Sequence, residues 1–333
     1  MKFRDEFEGP NGDPDAGSYP SNCYTMNPVC SVRLDWFAEG PCFGNSFSQF
    51  SNLNKCKWTV WGGYSFWDDT GVTSYLPSQI SVSKDSSDGN VGTLNIKIAS
   101  RTGSGIECGP KGAPDTMNND RWKINCPLVS GGVDSKYRNP TTKGWNFKKG
   151  RVEIRAKIAA KPSSGDFYSN SWPALWTWTG DEQNGYPYSN ANPSNPKYTN
   201  ELDILEVVPK PGQSKASAYQ TYHTWFTNGR HYASGSRSDI KVAPGKYETY
   251  GLERYPNYIL YSVGTCYTRK VADGDMEGKD VESWQQHGGT VSVNSEIPVH
   301  FILGMGFDKE FMNSPYSELD GAEFKIDYLR QYE

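Results

Sequence analysis

The fold of this chain can be inferred from one stretch of six residues, Glu201-Leu202-Asp203-Ile204-Leu205-Glu206. Aliphatic residues separate the three acids and Pro209 follows shortly after, which is typical of a β-strand. Side chains of a strand alternate between its faces, so Glu201 and Asp203 share one face. Strict alternation would turn Glu206 away, but a β-bulge after Asp203 would add one residue and return it. The sequence therefore predicts three acids in a row, with the aliphatic residues facing the core.

Three carboxylates on one face repel each other, and strand packing gives little reason to collect them. Retaining glycoside hydrolysis does give one, because it needs a nucleophilic carboxylate and a protonated carboxyl roughly 5–5.5 Å apart. The alternative is a solvent-exposed strand face that happens to be acidic. The third acid, the aliphatic spacers and the Trp-rich segment upstream favour the catalytic interpretation.

Composition limits the classes of function. The 333 residues fit one large all-β domain, and 14% of them are aromatic, with 11 Trp and 21 Tyr. Aromatic rings suit stacking on sugars, and they equally suit a β-sandwich core. The net charge of −4 offers no basic patch for nucleic acid. The sequence contains no run of about 18 apolar residues, so it predicts no transmembrane helix. The first six residues are too polar for a signal peptide, so we expect that a secreted form has lost its signal.

The seven cysteines predict a disulfide framework. Four of them fall within residues 23–56 and lack the C-x₂-C spacing of a zinc site, so we expect two disulfides there, of undetermined pairing. A third is expected between Cys108 and Cys126, which leaves Cys266 free. Disulfides predict a secreted, extracellular or periplasmic protein. A cytosolic protein with reduced thiols is the alternative.

About a dozen short strands separated by turn signals predict an all-β fold, a β-sandwich or jelly roll. The cleanest alternation is in 150–158, and 322–332 closes the chain with the same pattern. Residues 86–90 predict a hairpin turn. We expect one domain over 1–333, with disulfide-pinned loop insertions at about 10–56 and 102–145.

These residues resemble glycoside hydrolase family 16, in its laminarinase-like branch. The resemblance covers nearly the whole chain and rests on four features: the opening strand at 3–9, the strands at 150–158 and 172–176, the E-x-D-x-x-E pattern at 201–206, and the closing strand at 324–332. The insertions depart from the family pattern and leave the substrate preference open.

The resemblance implies a concanavalin-like jelly roll with a concave substrate cleft and retention of anomeric configuration. Glu201 would be the nucleophile, Glu206 the acid/base, and Asp203 would hydrogen-bond to the nucleophile. We expect a secreted, monomeric, endo-acting hydrolase of laminarin-type β-1,3-glucan. Its partner would be a polysaccharide rather than nucleic acid or a membrane, and catalysis would require no cofactor.

Five residues are candidates for substrate binding. Trp172 and Trp176 resemble sugar-platform tryptophans and are four apart on a strand, so they share a face, although either could fill the core. Arg155 could bond a sugar hydroxyl or orient an acid, or be a plain surface arginine. His223 could bond a sugar or the acid/base, or serve structure only. Trp145 is a candidate for a cleft wall.

Asp327 resembles the position at which some family members bind a structural calcium, which takes about six to eight oxygen ligands. Two other substrates are also open, mixed-linkage β-glucan and algal galactans such as agarose or carrageenan. Basic residues at 148, 149, 151 and 155 keep the sulfated galactans open. A non-catalytic, lectin-like protein is the alternative from a different class.

Overall fold

The computed structural model of the chain describes residues 31–33, 58–60, 73–89, 91–100, 107–108, 124–125, 128–135, 146–178, 198–210, 212–226, 230–234, 240–272, 277–280, 286–287, 299–307 and 316–332. The predicted opening strand at 3–9 and most of the two predicted insertions lie outside these residues. Within them, nearly all regular structure is β, and the helical segments are three short 3₁₀ turns, Pro77–Gln79, Ser86–Asp88 and Tyr316–Leu319. None of the described helices is long and apolar enough to span a membrane.

In chain order the strands are β1 Ser31–Arg33, β2 Thr59–Val60, β3 Thr73–Tyr75, β4 Ile80–Asp85, β5 Val91–Lys97, β6 Ala99–Ser100, β7 Glu107–Cys108, β8 Ile124–Asn125, β9 Leu128–Ser130, β10 Gly132–Asp134, β11 Asn146–Phe147, β12 Gly150–Ile158, β13 Ser171–Trp178, β14 Tyr198–Val207, β15 Ala216–Phe226, β16 Arg230–Ala233, β17 Ile240–Val242, β18 Tyr247–Arg254, β19 Tyr258–Val263, β20 Cys266–Ala272, β21 Glu277–Asp280, β22 Gln286–His287, β23 Val299–Phe307 and β24 Glu323–Tyr332.

Two large antiparallel sheets form the sandwich. Sheet 1 has eight strands in the order β20-β19-β18-β12-β24-β5-β4, with β1 beside β24. Sheet 2 has 11 strands in the order β2-β10-β23-β13-β14-β15-β16-β21-β22, with β11 beside β23 and β17 beside β15. Both orders combine consecutive strands with neighbours that are distant in sequence, such as β12 beside β24 and β13 beside β23, as in a jelly roll. The predicted all-β jelly-roll sandwich is confirmed.

The inner faces of the two sheets share one hydrophobic core. Val152 and Ile154 of β12 in sheet 1 are fully buried in the same cluster as Leu202 and Leu205 of β14 in sheet 2. Burying an aliphatic side chain of this size stabilises a fold by about 1.5–3 kcal/mol, so the alternating aliphatics hold the sheets together. The polar residues of both strands consequently lie on the outer faces of the sandwich.

The hairpin predicted around residues 86–90 is present. β4 and β5 pair antiparallel across the turn Ser86–Asp88. The Asp85 carboxylate accepts hydrogen bonds from the backbone N–H of Ser87 at 3.1 Å and from its hydroxyl at 2.8 Å. Gly89 closes the turn at φ 66, in the left-handed region that favours glycine.

One cysteine prediction is wrong. Cys266, at the start of β20, is disulfide-bonded rather than free. Cysteine spacing alone does not show which loops fold back onto a strand, so the odd cysteine was misassigned. Its partner is one of the other six cysteines, so the three disulfides expected among those six cannot all form as predicted. The side chains of those six cysteines lie outside the described residues.

Gly150→Ala should strongly destabilise the sandwich where β12 meets β24. Gly150 has φ 104, and a Cβ there would lie 2.7 Å from the backbone carbonyl oxygen of Tyr332. Left-handed strain and a backbone clash together should lower the free energy of unfolding by about 2–4 kcal/mol, measured by urea denaturation. Gly89→Ala is the matched control, because its φ is 66 and nothing lies within 4 Å of an added Cβ. Equal losses in the two variants would contradict the clash.

Candidate active site

The three acids lie on one face of β14 because that strand is bulged. Toward β13, Leu205 pairs with Leu175 and Asp203 with Trp176, so Ile204 is an extra residue. Toward β15, Asp203 pairs with Thr221 and Glu206 with Tyr219, so two residues of β14 oppose one residue of β15. This two-against-one count defines a β-bulge. The predicted bulge after Asp203 is confirmed, and it returns Glu206 to the face of the other two acids.

Burial agrees with this arrangement. The aliphatic residues between and after the acids are fully buried in the core: Leu202, Ile204, Leu205 and Val207. Glu201 and Glu206 are partly exposed, whereas Asp203 between them is only 3% exposed. Sheet 2 therefore presents two accessible carboxyls on its outer face, with a buried third carboxyl between them.

Residues directly opposite each other in an antiparallel pair share a face, so the strand registers name the neighbours of each acid. Each acid has one such neighbour on β13 and one on β15. These neighbours are Trp178 and His223 for Glu201, Trp176 and Thr221 for Asp203, and Ala174 and Tyr219 for Glu206. The outer face of sheet 2 is therefore a band of aromatic, hydroxyl and imidazole groups centred on the acids.

Glu206 is poised to hold a proton. Burial, and then the neighbouring Asp203 carboxyl, raise the pKa of Glu206 to about 8, while His223 and a hydrogen bond from Trp172 oppose the rise. That bond runs from the indole Nε1 of Trp172 to Oε1 of Glu206 at 3.2 Å. A carboxyl with this pKa is protonated at neutral pH and can donate a proton, as a general acid must.

Asp203 is the most deeply placed of the three acids. Burial raises the pKa of Asp203 to about 8. Its Oδ2 lies 3.1 Å from Nε2 of His223, whose imidazole stands beside Glu201 on β15. His223 is thus within the site, in contact with the central acid rather than with Glu206. Its predicted sugar contact stays a prediction.

Removing the charge of Glu206 should stabilise the protein at high pH. A carboxyl with a raised folded-state pKa contributes stability fully below its unfolded pKa of about 4.3, and this contribution is lost as pH rises through about 8. Glu206→Gln keeps the acceptor for Trp172 and cannot ionise. We expect its melting temperature to match that of the wild type at pH 4 and to exceed it at pH 9, measured by differential scanning calorimetry. A constant difference between pH 4 and pH 9 would contradict the raised pKa.

The tryptophans of β13 all face the acids. Trp172 and Trp178 are partly exposed, whereas Trp176 is 7% exposed and stands edge-on to Trp178, with ring centroids 6.3 Å apart. The structure therefore brings both predicted platform tryptophans to the site, with more open surface at Trp172. Sequence reasoning missed Trp178 and Tyr219. Side-chain alternation could have found both: Trp178 is two residues after Trp176 and Tyr219 is four residues before His223, so each shares a strand face with a predicted site residue.

One predicted site residue, Arg155, lies elsewhere. Arg155 belongs to β12 of sheet 1, where its Nη1 donates to Asp88 at 2.6 Å and to Asp327 at 2.7 Å, and its guanidinium lies 4.3 Å from the Tyr247 ring centroid. The sandwich core separates this outer face from the acids, so the prediction that Arg155 joins the site is wrong. Alternation identified its polar face but not the sheet to which β12 belongs. Trp145 lies outside the described residues.

Asp327, the candidate calcium ligand, is paired with Arg155. Its carboxylate is already neutralised by Arg155, and a fixed guanidinium beside it would repel a divalent cation. Among the residues that the structure describes, no group of three or more His, Cys, Asp or Glu side chains is arranged to hold a metal ion. The described contacts of Asp327 do not support the predicted calcium, which stays a prediction.

Two of the four basic residues that kept sulfated galactans open, Arg151 and Arg155, are on sheet 1. Arg151 is 1% exposed and donates to Glu253 at 2.8 Å and to Glu153 at 2.7 Å, within a buried network. Lys148 and Lys149 are exposed just before β12. Neither arginine stands near the acids, so the two arginines do not support a sulfated substrate. Lys148 and Lys149 connect β11 of sheet 2 to β12 of sheet 1, and the sulfated alternative stays a prediction.

Comparisons with known proteins place the fold. No protein-family model matches the sequence, and comparison with curated proteins finds no match. Solved structures do match. The laminarinase catalytic domain of Thermotoga maritima is similar with a TM-score of 0.52 and 15% identity over 92% of this chain and 98% of that one. A family 16 glycoside hydrolase from a mixed-linkage glucan locus of Bacteroides ovatus, in complex with a product, has a TM-score of 0.51 and 17% identity over 85% of this chain and 97% of that one.

A third similar structure comes from work on endo-acting O-glycanases that human gut bacteria express to initiate mucin breakdown. It has a TM-score of 0.50 and 18% identity over 95% of this chain and 92% of that one. All three are similar over nearly their whole length. The chain therefore has the fold of the endo-glucanases and laminarinases of glycoside hydrolase family 16.

Proposed function

We propose that this protein is a family 16 endo-glycosidase that hydrolyses β-1,3-glucan of the laminarin type with retention of configuration. One observation carries the proposal: a bulge in β14 places Glu201 and Glu206 on the same outer face, with the pKa of Glu206 raised to about 8. One strand thus supplies a carboxylate that can attack and a carboxyl that can donate a proton. These are the two groups that double displacement needs.

The chemistry follows from the placement of the acids. The Glu201 carboxylate attacks the anomeric carbon, forming a glycosyl ester, while the Glu206 O–H gives its proton to the glycosidic oxygen and the leaving chain departs as an alcohol. The Glu206 carboxylate then takes a proton from water as the water oxygen attacks the same carbon and frees Glu201. Esterification removes the charge of Glu201 between the two steps, which favours ionisation of Glu206 at the moment when it must act as a base. The reaction uses the two carboxyl groups and needs no cofactor.

Asp203 and Trp172 support Glu206 in opposite ways. The buried Asp203 raises the pKa of Glu206 and favours its acid form, whereas the Trp172 N–H stabilises its carboxylate form. Together they keep the acid/base able to change state within one turnover. Asp203 stands between the two glutamates on the strand, and we propose that it also orients the nucleophile, Glu201.

The substrate class rests on the aromatic band and on the fold. Trp172 and Trp178, partly exposed beside the acids, suit stacking on pyranose rings of a chain lying across sheet 2. Mixed-linkage β-glucan, agarose and carrageenan are alternative substrates, and the similarity to a structure from work on mucin O-glycanases adds O-glycans. We propose that the protein acts as a secreted monomer on such polysaccharides, as one domain with loop insertions at 10–56 and 102–145.

A panel of polysaccharides tests this function. Reducing ends released from laminarin, lichenan, agarose, carrageenan and mucin O-glycans would rank the substrates, and we expect laminarin to be cleaved fastest, into oligosaccharides. Release from another polysaccharide but not from laminarin would contradict the β-1,3-glucan assignment and keep the glycosidase. Binding without release from any of them would favour the lectin-like alternative.

Trp172→Phe should move the basic limb of the pH–activity profile upward. We expect kcat/KM of the wild type to fall as pH rises through about 8, because the ionised Glu206 cannot protonate the leaving group. Loss of the indole N–H removes a bond worth about 1 kcal/mol to the ionised form, so the pKa should rise by about 0.7 unit. The measurement is kcat/KM on laminarin between pH 4 and pH 10. Tyr258→Phe, on sheet 1, is the control and should leave the limb in place. A downward shift in Trp172→Phe would contradict the assigned bond.

A further inference from the structure

A polar side chain lies inside the sandwich directly opposite the bulge. Gln220 of β15 falls between Tyr219 and Thr221, the partners of Glu206 and Asp203, so it is the single residue that faces the two extra-register residues of β14. Tyr219 and Thr221 share the face of the acids, and alternation therefore turns Gln220 toward the core. It is 0% exposed. A buried amide is costly unless hydrogen-bonded, so its partners indicate what it does there.

Gln220 bonds to the bulge itself. Its Nε2 donates to the backbone carbonyl of Ile204, the extra residue of the bulge, at 3.2 Å. A bulge interrupts the hydrogen-bond ladder between two strands and leaves backbone groups without a ladder partner. The side chain of Gln220 therefore takes the place of a ladder bond at the one point where β14 departs from regular pairing.

The other end of Gln220 is anchored to sheet 1. Its Oε1 accepts a hydrogen bond from Thr268 Oγ1 at 2.7 Å, and its backbone carbonyl accepts one from Arg269 Nη1. Tyr261, also of sheet 1, donates from its hydroxyl to the backbone carbonyl of the adjacent Thr221 at 2.8 Å. Side chains from β19 and β20 thus cross the core and fix this segment of β15, which faces the bulge.

We propose that Gln220 is a positioning residue that holds the bulge of β14 and thereby sets Glu206 relative to Glu201. This inference rests on the proposed function. Without the amide, the Ile204 carbonyl would be buried without this partner. A shift of β14 toward regular pairing would then be favoured, because it would give that carbonyl a backbone hydrogen bond. Regular pairing turns Glu206 away from Glu201, because one residue of register reverses a side chain's face. Gln220 touches neither sugar nor acid, and it acts through the backbone between the two catalytic groups.

The consequence falls on proton transfer more than on attack. Glu201 keeps its register with Trp178 and His223 on the near side of the bulge, and its support does not depend on Gln220. Glu206 lies beyond the bulge. Its side chain faces the same way as that of Glu201 only while the extra residue of the bulge stays out of the regular strand pairing. A misplacement of about 1 Å can cost about 10²-fold in rate, so a displaced acid should impair substrates whose leaving group needs a proton.

The test compares two leaving groups in Gln220→Leu. Departure of a sugar alcohol from laminarin needs the proton of Glu206, whereas 2,4-dinitrophenolate leaves from a 2,4-dinitrophenyl β-laminaribioside without it. We expect kcat on laminarin to fall about 10²-fold and formation of the glycosyl-enzyme from the aryl substrate, followed as the dinitrophenolate burst, to fall less than about 10-fold. Gln220→Glu restores both bonds when protonated, so its laminarin activity at pH 5 should lie nearer to the wild type than that of Gln220→Leu.

Asn95→Leu is the matched structural control. Asn95 is a buried amide of β5, 1% exposed, that bonds Ser83 of β4 within sheet 1. The Asn95→Leu variant should have a lower melting temperature than the wild type and an unchanged ratio of the two activities. If Gln220→Leu does not fold, Thr268→Val removes only the anchor of Oε1 and should shift the ratio in the same direction by a smaller factor.

Equal losses of activity on both substrates, or no loss in a folded Gln220→Leu protein, would overturn the positioning role. Activity of the wild type on laminarin would still support the proposed glycosidase function. A wild-type protein that cleaves neither substrate would overturn the proposed function, and the positioning role with it. A shifted ratio in Gln220→Leu with an unshifted ratio in Asn95→Leu would support the proposal.

Discussion

Glu201→Ser should abolish hydrolysis of laminarin, with kcat falling by about 10⁴-fold or more. Serine removes the carboxylate that forms the glycosyl ester, and the rest of the site cannot replace it. Glu201 is partly exposed on the outer face of sheet 2, and the core beneath it is made by Leu202 and its neighbours. The variant should therefore fold normally and still bind laminarin oligosaccharides, measured by isothermal titration calorimetry beside the reducing-end assay.

Glu248→Ser is the matched control for Glu201→Ser, since Glu248 is an exposed strand glutamate of sheet 1. Its activity should equal that of the wild type. Turnover by Glu201→Ser within about tenfold of the wild type would rule out the nucleophile assignment. Loss of binding together with turnover would point to misfolding, which circular dichroism would reveal.

Glu206→Ala should separate the two halves of the reaction. On laminarin we expect a loss of about 10²–10⁴-fold, because the leaving chain departs without a proton. On a 2,4-dinitrophenyl β-laminaribioside the first step should be nearly normal, and the second step should be slow because no base activates water. Added azide needs no base, so it should accelerate turnover and yield a β-glycosyl azide, identified by proton nuclear magnetic resonance.

The same azide experiment on an alanine variant of Glu201 distinguishes the roles. There azide attacks in place of the missing carboxylate and should give the α-glycosyl azide in a single displacement. If the two variants gave azides of the same configuration, or if Glu206→Ala lost both substrates equally, the assigned roles would be wrong.

Much of the site could be predicted from the sequence because strand geometry is local. The period of two places Glu201 with Asp203, and the requirement to keep Leu205 and Val207 in the core predicts the bulge before Glu206. The registers with β13 and β15 confirm it. The same rule brought Trp172 and Trp176 to the face of the acids, since they lie on the neighbouring strand.

What the sequence could not show is non-local. Alternation in 150–158 identifies a polar face, but only the strand order shows that this face belongs to sheet 1, where Arg155 pairs with Asp88 and Asp327. The same limit applies to Cys266, whose disulfide depends on which loop returns to β20. Gln220 was missed because a buried amide is recognisable only once its partners on two other strands are known.

Trapping the glycosyl-enzyme tests most directly that Glu201 and Glu206 work as a pair across the bulge. The probe is a 2,4-dinitrophenyl 2-deoxy-2-fluoro-β-laminaribioside. Its dinitrophenolate leaves without a proton, and the fluorine on the sugar slows hydrolysis of the glycosyl ester. The ester should therefore accumulate on the intact wild-type protein. Peptide mass spectrometry should find one sugar per chain, attached to Glu201, and Glu201→Ser should remain unlabelled. A label on Asp203 or Glu206, or no burst of dinitrophenolate from an enzyme that cleaves laminarin, would contradict the account.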